Sequence, residues 1–186
     1  MRLFVAIEIP QEIRNALAIF VDELRGIAPQ AKWVRAENLH ITLKFLGHTD
    51  EARLPAIEGA LQEVRNFSAI SLRFRGLGFF PNERRPRVFW AGIEASDDLK
   101  AVARDIDQAT HRAGFPLEER PFTPHLTLAR FDPPGMQARL ASAIAQKAQC
   151  DFGSTTARQF HLIQSNLKPT GAEYVTLRSF ALAAET

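Results

Sequence analysis

With 186 residues, 46% of them hydrophobic, and a formal charge of only +2, the chain can bury a sizeable core and is excluded from the disordered and highly charged classes. Its single cysteine, Cys150, excludes an intramolecular disulfide and a cysteine-based zinc site. No apolar run approaches the ~18 residues of a membrane span, and "LFVAI" near the start runs into Glu8, Pro10 and Glu12 rather than a secretory signal, so a soluble, cytoplasmic protein is expected.

Taken in chain order, Phe4 to Ile9 alternates as a strand, and Pro10 to Arg25 carries Ile13, Leu17, Phe20, Val21 and Leu24 on one side of an amphipathic helix. "AKWV" (31–34) and "HITLKFLG" (40–47) are predicted strands, followed by a helix from about Glu51 to Arg65. "AISLRFRGLGFF" (69–80) and "RVFWAGIE" (87–94) read as a strand pair around the turn from Pro81 to Pro86. A helix from about Asp97 to Ala113 opens at Ser96, a residue suited to capping. The proline-rich "FPLEERPFTP" (115–124) leads into the strand "PHLTLARF" (124–131), and a helix covers about Met136 to Ala148. Two strands end the chain, "ARQFHLIQSN" (157–166) and "EYVTLRSFAL" (173–182), linked by the loop "LKPTGAE" (167–173).

Two of these strands carry the same unusual pattern. Strict alternation puts His40, Thr42 and Lys44 on one face and Leu39, Ile41, Leu43 and Phe45 on the other, so Phe45 is expected in the core. In the second, His125 and Thr127 share one face and Leu126 and Leu128 the other. Two independent His-apolar-Thr-apolar matches are expected on the order of once in a thousand such chains, so they call for a common cause. "FVAIEI" (4–9) is echoed by "FWAGIEA" (89–95), and "FRGLGFFP" (74–81) by a segment starting at Phe160, each at an offset near 86. Short turns between neighbouring strands require antiparallel pairing. The expected fold is therefore α+β: a single two-lobed domain with two antiparallel or mixed sheets, helices on their outer faces, and a pseudo-twofold duplication of roughly 1–85 and 86–186 around a central cleft.

Two histidines in one cleft suit concerted proton transfer, one imidazole taking a proton from the nucleophile while the other gives one to the leaving oxygen. Phosphoryl transfer fits, because Thr42 and Thr127 hydroxyls could hold non-bridging oxygens. No metal is required; a two-histidine site completed by a carboxylate is a minor alternative, and HExxH, phosphate-loop and dinucleotide motifs are absent from the sequence. His48, His111 and His161 lack the threonine and read as surface or structural. Among the basic residues, 18 are Arg and 5 Lys, and five of the arginines fall in "RFRGLGFFPNERRPR" (73–87). Arginine's planar fork of donors suits phosphate, so the turn "PNERRPR" could follow a nucleic-acid backbone, although a solvated loop tip has the same composition.

"HITL" and "HLTL", with the flanks "KWVRAENLHITLKFLG" and "ERPFTPHLTLAR", resemble the paired motifs of the two-histidine (2H) phosphoesterase superfamily. The closest branch is that of the RNA 2′,3′-cyclic phosphodiesterases, first known as 2′-5′ RNA ligases, and the likeness extends from "RLFVAIEIP" to "FHLIQSNLKPTGAEYVTL". The resemblance implies a bilobal, cofactor-free and metal-free enzyme that opens an RNA-terminal 2′,3′-cyclic phosphate to a 2′-phosphomonoester, with reversible 2′-5′ ligation as a secondary activity. It implies His40 as proton donor to the 3′ oxygen, His125 as proton acceptor from water, and Thr42, Thr127 and Arg130 as phosphate contacts. Alternation sets Arg130 opposite His125, so that role requires the strand to end or twist; Lys44 is a further contact by parity. The expected partner is RNA with a cyclic phosphate end, tRNA fragments among the candidates, acted on by a monomer away from membranes. A small cyclic nucleotide or ADP-ribose cyclic phosphate as substrate, and a non-catalytic RNA-binding module, are the competing readings.

Overall fold

A computed structural model describes residues 1–64, 67–169 and 171–183. In chain order these form β1 (Arg2–Glu8), α1 (Gln11–Ile27), β2 (Lys32–Trp33), β3 (His40–His48), α2 (Leu54–Gln62), β4 (Ile70–Phe80), β5 (Val88–Ala95), α3 (Asp97–Arg112), β6 (His125–Arg130), α4 (Ala138–Ala145), β7 (Asp151–Ala157), β8 (Gln159–Lys168) and β9 (Gly171–Ala181). Short 3₁₀ turns at Ala36–Asn38 and Glu51–Arg53 lead into β3 and α2. The predicted helix from Glu51 thus starts as 3₁₀, its α-helical part beginning at Leu54 with Pro55 in the first turn, where a missing N–H costs nothing. Its predicted end at Arg65 lies outside the described residues. The last helix is shorter than its periodicity suggested, and β7 is an additional strand.

The strands make two sheets, ordered β3-β1-β8-β9 and β2-β6-β5-β4-β7, and every pairing among the described residues is antiparallel. Neither sheet belongs to one half of the chain. β4 lies in the second sheet beside β5, whereas β8 crosses back to lie beside β1 in the first. The helices cross as well: α1, which follows a strand of the first sheet, packs on β7 and α4, and α3, which follows a strand of the second, packs on β3 and α2. Phe20 of α1 sits between Phe89 of β5 and Phe152 of β7, with ring centroids 6.5 and 5.1 Å away. One continuous core runs through Leu17 and Val21 of α1, Val102 and Ile106 of α3, Ile41 of β3 and Leu126 of β6. Because each helix braces the sheet built around the other half's strand, the two sheets are held as one cooperative body, and truncating a fully buried ring such as Phe74 or Phe89 to alanine would cost about 3–5 kcal/mol.

The sheets meet where β3 approaches β6, and the two histidine strands therefore line the same junction. Among the described residues no helix is long and apolar enough to cross a membrane.

Candidate active site

Alternation holds at the start of both histidine strands: Ile41 and Leu126 are buried in the main core, while His40, Thr42, His125 and Thr127 stand half-exposed on the opposite face. The alternation then breaks at the same place in each. Ala6 of β1 faces Thr42 but Val5 faces Lys44, skipping Leu43; Trp90 of β5 faces Thr127 but Phe89 faces Ala129, skipping Leu128. Each motif thus ends in a one-residue β-bulge at its final leucine, Leu43 or Leu128, and a bulge exchanges the faces of the residues after it.

The exchange moves three residues relative to expectation. Arg130 comes round to the face of His125, so its strand need not end: its positive charge adds to the burial that lowers the pKa of His125 and of His40. Phe45, expected in the core, is 57% exposed and lies beside Phe4 on the histidine face. Lys44 does not share the His40 face. Its ammonium is buried behind the sheet, 2.5 Å from Asp107 of α3 and 2.7 Å from the Pro116 carbonyl. Removing one member of such a pair strands the other charge, so Lys44→Met is expected to destabilise the fold by about 3 kcal/mol while leaving kcat within a few-fold of wild type. Denaturant melts beside turnover at saturating substrate measure both; a large kcat loss with stability intact would return Lys44 to the site.

The two imidazoles are fixed in the same way. His40 Nδ1 lies 2.7 Å from the Asn38 carbonyl, and His125 Nδ1 2.7 Å from the Thr123 carbonyl, each two residues upstream. A carbonyl only accepts, so Nδ1 carries the proton and donates, leaving Nε2 as the reactive nitrogen of both rings. Asn38 is itself buried and anchored through Nδ2 to the Ala172 carbonyl of β9, at 2.8 Å. Each ring also lies against two aromatics from strands distant in sequence. His40 meets Phe4 and Tyr174, with centroids 4.7 and 5.2 Å away; His125 meets Phe80 and Trp90 at 4.9 and 6.3 Å.

The Trp90 wall depends on a glycine. A Cβ on Gly78, its cross-strand neighbour, would fall 2.2 Å from the indole ring. The indole Nε1–H is buried without a partner among the described residues. Gly78→Ala is expected to push the indole out of register, costing about 1–3 kcal/mol and loosening the ring wall of His125. A lowered Tm accompanied by a lowered kcat would show this, and unchanged kcat would mean that the wall does not position the histidine.

Burial lowers the pKa of His40 to about 4, helped by the positive charges of Arg14, His125 and Arg130 and opposed by the Asn38 carbonyl. Burial also lowers His125, again with Arg130 helping and the Thr123 carbonyl opposing. Both rings are therefore neutral at pH 7 in the free protein, and the surroundings are cationic. Arg14, in the first turn of α1, was not singled out from the sequence: an arginine on a helix surface reads as solvated, and only the fold turns it back to donate to the Ile9 and Glu37 carbonyls, at 3.0 and 3.2 Å, beside His40. Phe4, Tyr174, Phe80 and Trp90 were likewise indistinguishable from core aromatics. Among the described residues no three His, Cys, Asp or Glu side chains converge as metal ligands would. The imidazole of His40 feels the charge of His125, and among the described residues neither Nε2 has a hydrogen-bond partner, so both can transfer protons, while the two hydroxyls one pleat along and Arg130 suit an anionic group.

Known proteins share this arrangement of chain and sheets. The RNA 2′,3′-cyclic phosphodiesterase of Archaeoglobus fulgidus is 37% identical over 97% of this chain and 99% of its own, and that of Methanothermobacter thermautotrophicus is 33% identical over 98% and 99%. The crystal structure of TT0787 of Thermus thermophilus aligns with a TM-score of 0.78 at 33% identity, over 98% of both chains. The family model of the 2′-5′ RNA ligase superfamily matches residues 10–168, and the chain belongs to that superfamily.

Proposed function

We propose that the protein is an RNA 2′,3′-cyclic phosphodiesterase that opens the terminal cyclic phosphate to a 2′-phosphomonoester by paired-histidine acid-base catalysis. The observation that carries this reading is the matched locking of His40 and His125 through Nδ1, 2.7 Å from a backbone carbonyl in each case, which leaves two Nε2 atoms for proton transfer. The names of the full-length relatives support the substrate class.

In this mechanism neutral His125 takes a proton from water through Nε2 as the water oxygen bonds to phosphorus. His40, protonated, gives its Nε2 proton to the 3′ oxygen as the bond from phosphorus to that oxygen breaks. The phosphate remains on the 2′ oxygen. Thr42 and Thr127 hydroxyls and the Arg130 guanidinium hold the non-bridging oxygens, whose charge grows in the transition state. The exposed Phe45 ring offers the terminal base an apolar surface beside Phe4. Replacing water by the 5′ hydroxyl of a second RNA gives a 2′-5′ linkage by the same proton transfers. Both walls of the cleft come from one chain, so a monomer suffices.

An RNA oligonucleotide ending in a 2′,3′-cyclic phosphate, incubated with the protein in EDTA, is expected to give a 2′-phosphate end. A 3′-phosphate product would reverse the leaving group, and no product would overturn the reading.

A further inference from the structure

The arginine-rich turn between β4 and β5 is not used by this mechanism, yet it grows out of the cleft wall. It leaves from Phe80, whose ring packs on His125, and returns at Val88, the cross-strand neighbour of Arg130. Arg84 lies four residues beyond Phe80, no more than about 14 Å of extended chain away.

The turn is held rigidly. Asn82 Oδ1 accepts hydrogen bonds from the backbone N–H groups of Arg84 and Arg85, at 3.0 and 3.2 Å. The Arg87 N–H donates to the Phe80 carbonyl at 2.7 Å, the Phe131 N–H to the Arg87 carbonyl at 2.9 Å, and the Gly135 N–H to the Pro86 carbonyl at 3.0 Å. Pro86 is buried, whereas Arg84, Arg85 and Arg87 are exposed. Among the described residues none of these three arginines has a carboxylate within 4 Å; the nearby Asp132 carboxylate is held by Lys32 at 2.9 Å. The β8–β9 hairpin on the His40 side is different, since its Lys168 is neutralised by Glu173 at 2.6 Å. Three guanidinium groups without a close carboxylate partner, on a fixed backbone, therefore flank the cleft on the His125 side, outnumbering Glu83 of the same turn and Asp132, which feels the charge of Arg87.

We propose that the Arg84, Arg85 and Arg87 turn binds the phosphodiester backbone of single-stranded RNA just upstream of the terminal cyclic phosphate, so that the enzyme selects oligonucleotide ends over cyclic mononucleotides. This rests on the cyclic phosphodiesterase reading and extends it from the reacting group to the chain that carries it. Arginine forks match phosphate oxygens, and each neutralised phosphate of a single strand releases about 0.7 of a counterion, which makes the contribution salt-dependent. A mononucleotide has no upstream phosphate to offer.

The test compares wild type with the triple variant R84Q/R85Q/R87Q on adenosine 2′,3′-cyclic phosphate and on an eight-nucleotide RNA with the same terminal group. The expected result is a loss of at least tenfold in kcat/KM on the RNA, carried by KM, with the mononucleotide within twofold. The slope of log kcat/KM against log salt should become shallower by about 2 for the RNA alone. An unchanged RNA rate, or an equal fall on both substrates, would overturn the proposal, the latter because the turn would then act only by bracing Phe80 and His125. If the wild type opened neither cyclic phosphate, the functional reading would fail by itself. The turn would still be judged by fluorescence anisotropy with a labelled eight-nucleotide RNA: tenfold weaker binding by the variant supports it, and equal binding refutes it.

Discussion

His40→Ala and His125→Ala are each expected to lower kcat on an RNA cyclic phosphate by about 10²–10⁴-fold, the range that a positioned proton donor or acceptor contributes. Neither ring is exchangeable for another base nearby, because each is oriented twice, by a carbonyl at Nδ1 and by a pair of aromatic rings. The double variant should be scarcely worse than either single one, since proton removal and proton delivery serve one displacement and are lost together. The folded state should survive. The rings sit on the cleft face, outside the main core that Ile41 and Leu126 help to build, so truncation removes aromatic contacts without opening a cavity in that core. Single-turnover rates and thermal melts on the same preparations check both halves. Activity within tenfold of wild type in either variant would show that its imidazole is not a proton-transfer group.

The sequence exposed the histidines because alternation is reliable over the few residues from His40 to Thr42 and from His125 to Thr127. Beyond Thr42 and Thr127 it failed, and for a physical reason: a bulge is set by how a strand pairs with its neighbours, and nothing local in "HITLKF" or "HLTLAR" marks Leu43 or Leu128 as the extra residue. The same event explains the misplaced Lys44, the misplaced Phe45 and the apparent conflict over Arg130. β7 carries little signal in the sequence, because "DFGSTTA" offers only Phe152 and Ala157 to the core, a weak pattern suited to a sheet edge. His161 illustrates another limit. Its isolation in the sequence leaves a surface and a structural role open, and the structure shows the structural one: it is buried, with Nδ1 2.9 Å from Ser179 Oγ, a pairing between β8 and β9 that only the register reveals. The exchange of β4 and β8 between sheets was equally hidden, since a sequence repeat identifies corresponding elements but not which sheet each one joins.

The electrostatics of the site lead to the second large effect, a pH dependence that burial sets and Arg130 adjusts. Productive catalysis needs one proton shared between the two imidazoles, and burial holds both below the ordinary histidine value, His40 at about 4. A lowered pKa means the proton is lost earlier as pH rises. The singly protonated enzyme therefore thins out tenfold per pH unit above the higher of the two values, which lies below 6.5, so kcat/KM should fall about tenfold per unit through pH 7 and 8. His40, the more strongly depressed ring, must receive its proton when the phosphate anion arrives, because an opposite charge favours the imidazolium. Arg130→Met should then do two things at once. If Arg130 holds the phosphate as proposed, its loss lowers kcat/KM at the optimum by about 10²–10³-fold. Loss of a positive neighbour raises both imidazole pKa values, so the alkaline limb moves to higher pH. A pH–rate profile from about pH 4 to 9 for wild type and variant reads both quantities. A drop in rate with the limb unmoved would mean that Arg130 binds substrate without tuning the histidines, and a limb displaced to lower pH would contradict the placement of its charge beside them.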